Sequence, residues 1–176
     1  YGGDSFCLID AASLGFAVTP DEAYDLVQSG RRVTKAANEQ LGFTHPDNPA
    51  WSHLSFCMLT CPPVREKGAL LGRHTVVIQP GKLDRSPCGT GCSARLAVLS
   101  ARGLLQPREQ FIGESIIGSR FDCQIEALAE VGKGQPAVVP SLAGRAWITG
   151  THQHMLDPRD PWPAGYRLSD TWPRGG

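Results

Sequence analysis

The sequence predicts an α+β fold in which β-strands wrap around one central helix. Three observations carry that expectation. Residues 93–101 (Ser-Ala-Arg-Leu-Ala-Val-Leu-Ser-Ala) combine good helix formers with apolar positions at Leu96, Ala97 and Leu99, apolar enough for a buried helix. Strand-like segments flank this helix on both sides, and everything after Gly103 reads as strand and turn. The chain's 20 glycines and 14 prolines imply many tight turns between short strands.

The elements follow in order. Residues 5–10 read as a strand. Thr19-Pro20-Asp21-Glu22 is a helix start, with Thr19 as N-cap, Pro20 at the first position and Glu22 three after the cap. Ala23, Leu26, Val27, Val33, Ala36, Ala37 and Leu41 then keep helical spacing, with Gly30 as a weak point and Gly42 as the stop. His45-Pro46-Asp47-Asn48-Pro49 is a turn-rich loop. Residues 54–59 read as a strand ended by Pro62-Pro63, and 75–78 as a β-branched strand. After the helix, strands are expected at 110–117, 120–128, 136–140 and 145–150. The Pro-, Gly- and Trp-rich tail from Asp157 is expected to lie across a surface.

Composition sets the functional frame. The 176 residues suffice for one domain or two small lobes, and roughly 70% of the unfolded surface is buried at this size. Hydrophobic content of 41% and charged content of 19% are those of an ordinary globular protein. With 17 basic against 17 acidic residues and no basic run, nucleic acid is not an expected partner. No apolar stretch approaches 18 residues and no signal-peptide pattern is visible, so no membrane partner is expected. Six cysteines are too few for a disulfide scaffold of this length. They are expected to be mostly reduced, which places the protein in the cytoplasm. The chain begins at Tyr1 with a strand already in progress, so it is expected to be part of a longer protein.

Chemistry concentrates in Asp84-Arg85-Ser86-Pro87-Cys88-Gly89-Thr90-Gly91-Cys92-Ser93-Ala94-Arg95. A helix start offers unpaired backbone N–H groups and partial positive charge. Such a place lowers a thiol pKa and holds an anion. Cys88 is therefore expected to be an activated thiolate beside a carboxylate or phosphate cradle. Asp84, four residues upstream, is expected to face the same spot and receive a cation.

Gly89-Thr90-Gly91-Cys92-Ser93-Ala94 matches a dinucleotide-binding pattern literally. Yet the loop from Gln79 to Ser86 separates it from the preceding strand, and no second parallel strand follows promptly. Cys57, Cys61, Cys88 and Cys92 with His152 and His154 make a poor zinc set. Cys57 and Cys61 would stand about 13 Å apart on an extended strand, so no metal is expected. Cys7, Cys57 and Cys123 read as core filler, and Cys92 as pointing into the lobe or lining the Cys88 pocket. Among five histidines, His53 beside Trp51 is a candidate. His45 reads as a turn residue, and His74, His152 and His154 receive no role from spacing.

The segment from Asp84 to Ala94 (DRSPCGTGCSA) resembles the second cysteine motif of the proline racemase family, which includes proline racemases, 4-hydroxyproline 2-epimerases and trans-3-hydroxy-L-proline dehydratases. Tyr1-Gly2-Gly3, His45-Pro46, residues 114–121, residues 144–150 and Asp157-Pro158-x-Asp160-Pro161 resemble further landmarks of that family. The resemblance implies a diaminopimelate-epimerase-like lobe, with one catalytic cysteine per lobe and the site between two lobes. It implies Cys88 as one acid/base, Asp84 on the substrate ring nitrogen, and the backbone N–H groups of Gly89 and Thr90 on the substrate carboxylate. It also implies His53 as a substrate contact, an imino acid substrate, and neither cofactor nor metal. Cys92 stands where the family commonly has threonine. The family's first motif, cysteine-glycine-histidine-glycine, does not occur in the chain. Residues 1–156 are thus expected to be the C-terminal lobe and 157–176 a tail. The N-terminal lobe is expected to be absent from this chain and to be a partner of it, and the exposed inter-lobe surface makes self-association a further expectation.

Physical chemistry agrees with that assignment. Removing a proton beside a carboxylate builds charge on the carboxylate, and losing one fixed donor to such charge typically costs about 3–4 kcal/mol of barrier. A cationic ring nitrogen paired with Asp84 withdraws more. A thiol is a suitable acid/base because its pKa is tunable near working pH. Inversion needs two opposed groups. A cysteine in the missing motif would mean an epimerase, and a serine or threonine there a dehydratase. His53 leans toward the epimerase. An inactive lobe acting as a binding domain, or a thiol hydrolase with a histidine at Cys88, are the rival classes.

Overall fold

The structure is a computed structural model describing residues 1–168. Contacts divide the chain into two compact units, Tyr1–Arg145 and Ala146–Gly176.

In the first unit, β1 (Phe6–Asp10) leads through a short 3-10 turn (Pro20–Glu22) into α1 (Ala23–Gln40). Then come β2 (Phe56–Thr60), β3 (Val64–Glu66), β4 (Ala69–Ile78) and β5 (Lys82–Leu83). They are followed by α2 (Gly89–Ala101), β6 (Gln110–Glu114), β7 (Arg120–Val131) and β8 (Gln135–Ala143). The strands form one eight-stranded sheet in the order β1-β2-β4-β6-β7-β8, with β3 and β5 paired to β4. The pairs β1–β2 and β4–β6 are parallel, each closed by a helical crossover, and the rest are antiparallel. Helix α2 touches β1, β7 and β8, strands at opposite ends of that order, so the sheet curls around it. Helix α1 packs on β2 and β4. The expected strands wrapped around a helix are the architecture observed.

Helix α1 buries Leu26, Ser29, Gly30, Thr34 and Ala37 on one face. Gly30 is not a weak point: a Cβ there would run into the Val77 side chain, so the glycine lets α1 approach β4. The Thr19 side chain makes no capping bond. Instead Ala17 N–H donates to Glu22 Oε2 at 2.7 Å. Gly42, at φ +67°, donates its N–H to the Ala37 carbonyl and ends the helix as expected. Asn38 clamps the loop before β2, bonding both the carbonyl and the N–H of Leu54 at 2.8 Å.

Four expected boundaries are corrected. Strand β4 begins at Ala69 rather than 75, because Arg73 is paired to Glu114 and His74 is buried toward α2, so neither polar residue interrupts the strand. Helix α2 begins at Gly89 rather than 93: the Gly-Thr-Gly run forms its first turn, closed by Cys92 N–H to the Cys88 carbonyl at 2.8 Å. The strand expected to reach 117 stops at Glu114, where Ser115 and Ser119 close a turn through Gly118 at φ +79°. Residues 145–150 form no strand. Their apolar and β-branched character supplies propensity, but a strand exists only through a ladder.

The core lies where α2 meets the sheet. Leu70, Cys92, Leu96, Leu99, Leu105, Phe111, Cys123 and Ile125 form one cluster. Phe6, Met58, Val76 and Ala94 form a second, with Cys88 at its margin. All six cysteines are free thiols. No helix among the described residues is long and apolar enough to cross a membrane. In the second unit, the described residues 146–168 hold no helix or strand. Their clearest local structure is a turn in which Arg159 forks onto Asp157 and Trp162 N–H donates to Asp160 Oδ1 at 2.8 Å.

Candidate active site

The loop between β5 and α2 sets the geometry. Asp84 N–H donates to the Val76 carbonyl at 3.0 Å, which fixes Asp84 against β4. Ser119 Oγ donates to the Arg85 carbonyl at 2.9 Å, bracing the loop from the β6–β7 turn. Pro87 is fully buried. The chain then turns sharply, with Cys88 at φ 63° and ψ 111° as the N-cap of α2. A non-glycine residue rarely adopts a positive φ, and such strain persists only where surroundings enforce it.

The Cys88 thiol is half-buried against the Met58–Val76 cluster and lies 3.5 Å from Thr90 Oγ1. The Gly91 N–H also points at it. Gly91 is needed for this approach: a Cβ there would sit 3.2 Å from Cys88 Sγ and 2.5 Å from Met58 Cε. Gly89 and Thr90 are exposed in the first helical turn, where N–H groups have no intrahelical partner. The N-terminal Gly2 packs on the same turn, and a Cβ on it would overlap the Thr90 carbonyl.

The expected lowered thiol pKa is corrected. Burial pushes the Cys88 thiol up, the Thr90 hydroxyl and Gly91 N–H pull it down, and the Asp84 carboxylate raises it again. The net direction is upward. The helix start acts as anticipated, but half-burial among apolar side chains and an acidic neighbour outweigh it. Cys88 therefore rests as the thiol, with the Asp84 side chain beside it.

Cys88, Asp84, Gly89 and Thr90 are thus brought together. His53 is not part of that contact set. Its ring stacks on Trp51 at 5.1 Å, and its carbonyl accepts from Ser5 Oγ at 2.6 Å. The Asp84 side of the loop borders a cavity of about 360 Å³ lined with Tyr24, Val27 and Ile117, which does not include Cys88.

A buried polar group beneath the loop has no counterpart in the sequence reading. His74, fully buried on β4, places Nε2 2.6 Å from the Pro87 carbonyl oxygen and Nδ1 2.7 Å from Arg95 Nη1. Arg95, 3% exposed, also donates to the carbonyls of Arg73 (3.0 Å) and Cys61 (2.7 Å) and lies over the Phe111 ring. It has no carboxylate partner among the described residues. Cys92 is fully buried in the lobe, its sulfur 3.4 Å from the same Pro87 carbonyl. The one available signal was a lone arginine inside an apolar helical run, four residues before Leu99.

The family model for proline racemase matches residues 1–167. The chain belongs to the proline racemase family. Two solved structures are similar at 38% identity and a TM-score of 0.77. One is a probable proline racemase from Agrobacterium radiobacter K84 with bound carbonate, and the other a hydroxyproline epimerase from Agrobacterium vitis with bound trans-4-hydroxy-L-proline. Each match covers 98% of this chain but 49% and 48% of the relative, so the chain spans about half the length of these proline racemase relatives.

Proposed function

We propose that this chain supplies one half of a racemase or epimerase site for a five-membered imino acid, hydroxyproline or proline, with Cys88 as one of two acid/base thiols. The observation that carries the reading is the Cys88 thiol at the start of α2, flanked by the Asp84 carboxylate and the Thr90 hydroxyl. The hydroxyproline bound to the Agrobacterium vitis relative supports the substrate class.

In this reading the substrate's cationic ring nitrogen pairs with Asp84, and its carboxylate lies on the N–H groups of Gly89 and Thr90. Burial is the main reason the thiol stays protonated, and the Asp84 carboxylate adds to it; a bound cation at Asp84 relieves that second part and so favours the thiolate. The thiolate takes the Cα proton, breaking the Cα–H bond and forming S–H. The electron pair delocalises into the carboxylate, where the fixed donors stabilise it. A second thiol, on the opposite face and from outside this chain, delivers a proton to Cα, completing inversion. In the reverse direction the roles exchange. The compact unit Tyr1–Arg145 serves as the lobe that carries Cys88, and His53 serves at the substrate's periphery. The transfers call for acid/base groups alone.

The test is incubation in D2O with trans-4-hydroxy-L-proline or L-proline, read as deuterium at Cα. A parallel measurement asks whether the same ligands slow Cys88 alkylation. Exchange that disappears in Cys88→Ser, or protection that disappears in Asp84→Asn, supports the reading. Because the second thiol comes from outside this chain, the same measurements are made with a complementary cysteine-bearing lobe supplied, and absence of both there overturns the reading.

A further inference from the structure

The hydrogen-bond chain beneath the loop has a direction. His74 Nδ1 has two neighbours, the Gly72 carbonyl oxygen at 3.2 Å and Arg95 Nη1 at 2.7 Å. Arginine has donors and no acceptor, so the shorter contact is made only with a lone pair on Nδ1, and the longer one to Gly72 is then not a hydrogen bond. A neutral imidazole with Nδ1 bare carries its proton on Nε2. That proton points at the Pro87 carbonyl oxygen, 2.6 Å away. Burial, then the Arg95 charge, pushes the His74 pKa down to about 4, so the ring is neutral at working pH.

We propose that Arg95 and His74 are positioning residues for Cys88: Arg95 sets the His74 tautomer, and His74 Nε2–H holds the peptide that turns Cys88 into the site. The proposal rests on the reading of Cys88 as an acid/base. The Pro87–Cys88 peptide is held at both ends, its oxygen by His74 with Cys92 alongside, and its N–H by Ser86 Oγ at 3.2 Å. This is the peptide entering the positive-φ residue, where the backbone most needs restraint. The fold makes room for the chain. A Cβ on Gly72 would sit 2.8 Å from Arg95 Cζ, and a Cβ on Gly113 would sit 2.7 Å from Cys92 Sγ and 3.5 Å from His74 Cε1. A side chain at Gly72 would thus displace Arg95, whereas one at Gly113 would press on Cys92 and only touch His74.

The experiment reads the Cys88 thiol, whose titratable neighbours are Asp84 and Cys92, and needs no turnover. Iodoacetamide alkylation of Cys88 is followed by mass spectrometry against pH in the unaltered protein, His74→Leu and His74→Gln. Released from its restraint, the thiol loses its alignment with the Gly91 N–H and Thr90 hydroxyl. His74→Leu is then expected to alkylate roughly fivefold more slowly at fixed pH, the equivalent of one hydrogen bond. Glutamine can accept from Arg95 and donate to Pro87, so His74→Gln restores the rate. A folded His74→Leu with an unchanged profile overturns the proposal. Should His74→Leu not fold, the 15N imidazole shifts of the unaltered protein decide. A proton on Nε2 supports the relay, and a proton on Nδ1 or on both nitrogens overturns it. Cα exchange in D2O is measured separately. A shifted alkylation profile without exchange leaves the relay standing and removes the reaction instead.

Discussion

Thr90 Oγ1 lies 3.5 Å from Cys88 Sγ, and it acts on that sulfur in the sense opposite to Asp84. The hydroxyl stabilises the thiolate and the carboxylate opposes it. Asp84→Asn is therefore expected to lower the Cys88 pKa and speed alkylation severalfold at neutral pH, while Thr90→Val raises it and slows alkylation. Rates against pH for the two variants check this. On the proposed reading, in which the same carboxylate receives the substrate cation, Asp84→Asn should combine a more reactive thiol with lost Cα exchange. A slower thiol in Asp84→Asn would contradict the assignment.

Gly91→Ala tests the space beneath the thiol. The new Cβ meets Met58 Cε at 2.5 Å and the Cys88 Cβ and Sγ at 3.2 Å. Methionine is flexible and can yield, but Cys88 is held by its backbone, so the thiol is displaced by tenths of an ångström. The stability cost is expected to be about 1–2 kcal/mol. The cost to Cα exchange is expected to be larger, up to roughly 100-fold, because a shift near the reacting atom degrades alignment. Denaturation midpoints beside exchange rates separate the two effects.

These glycines also mark what was legible in the sequence. Pro87, Cys88 and the Gly-Thr-Gly run announced a helix start with a thiol, and Asp84 reached it as spacing implied. The direction of the thiol's pKa was not legible, because burial is a property of the Phe6–Met58–Val76 cluster, whose members lie far apart in the chain. His74 was hidden for a similar reason. In sequence it is one polar residue before a β-branched run, and its partners Pro87 and Arg95 are 13 and 21 residues away. Gly30 read as a helix defect because only the packed structure shows Val77 opposite it. Local signals placed the elements, and long-range packing decided what their polar residues do.

Glu114 carries a pH-dependent share of stability. Its carboxylate, 7% exposed, sits between Arg73 and Arg120, at 2.5 and 2.6 Å. Burial works to raise its pKa, but the two guanidinium groups outweigh that and hold it below the ordinary 4.5. A carboxylate with a lowered folded pKa stabilises fully above its ordinary value and loses that contribution as pH falls through the folded value. Glu114→Gln is expected to cost about 2 kcal/mol at pH 7, since both arginines are half-exposed and regain water. Urea unfolding at neutral pH and near pH 3 should show the gap between the two proteins narrowing in acid. An equal gap at both would contradict the ion-pair account.

Gly30→Ala sets two effects of known sign against each other. Alanine in a helix interior gains about 1 kcal/mol over glycine from propensity. Here the added methyl would lie 2.9 Å from Val77 Cβ and 3.2 Å from Val77 Cγ1. Val77 is fixed in β4, and a β-branched side chain has little rotamer freedom with which to retreat. Helix α1 must then move off the sheet, an overpacking cost of about 1–3 kcal/mol. The clash wins, with a net loss of about 1 kcal/mol and a lower Tm. Val77→Ala in the same chain removes the obstacle, so the double variant should lose less than the sum of the singles, a coupling expected only for residues in contact. Additive losses would mean that Gly30 and Val77 do not meet.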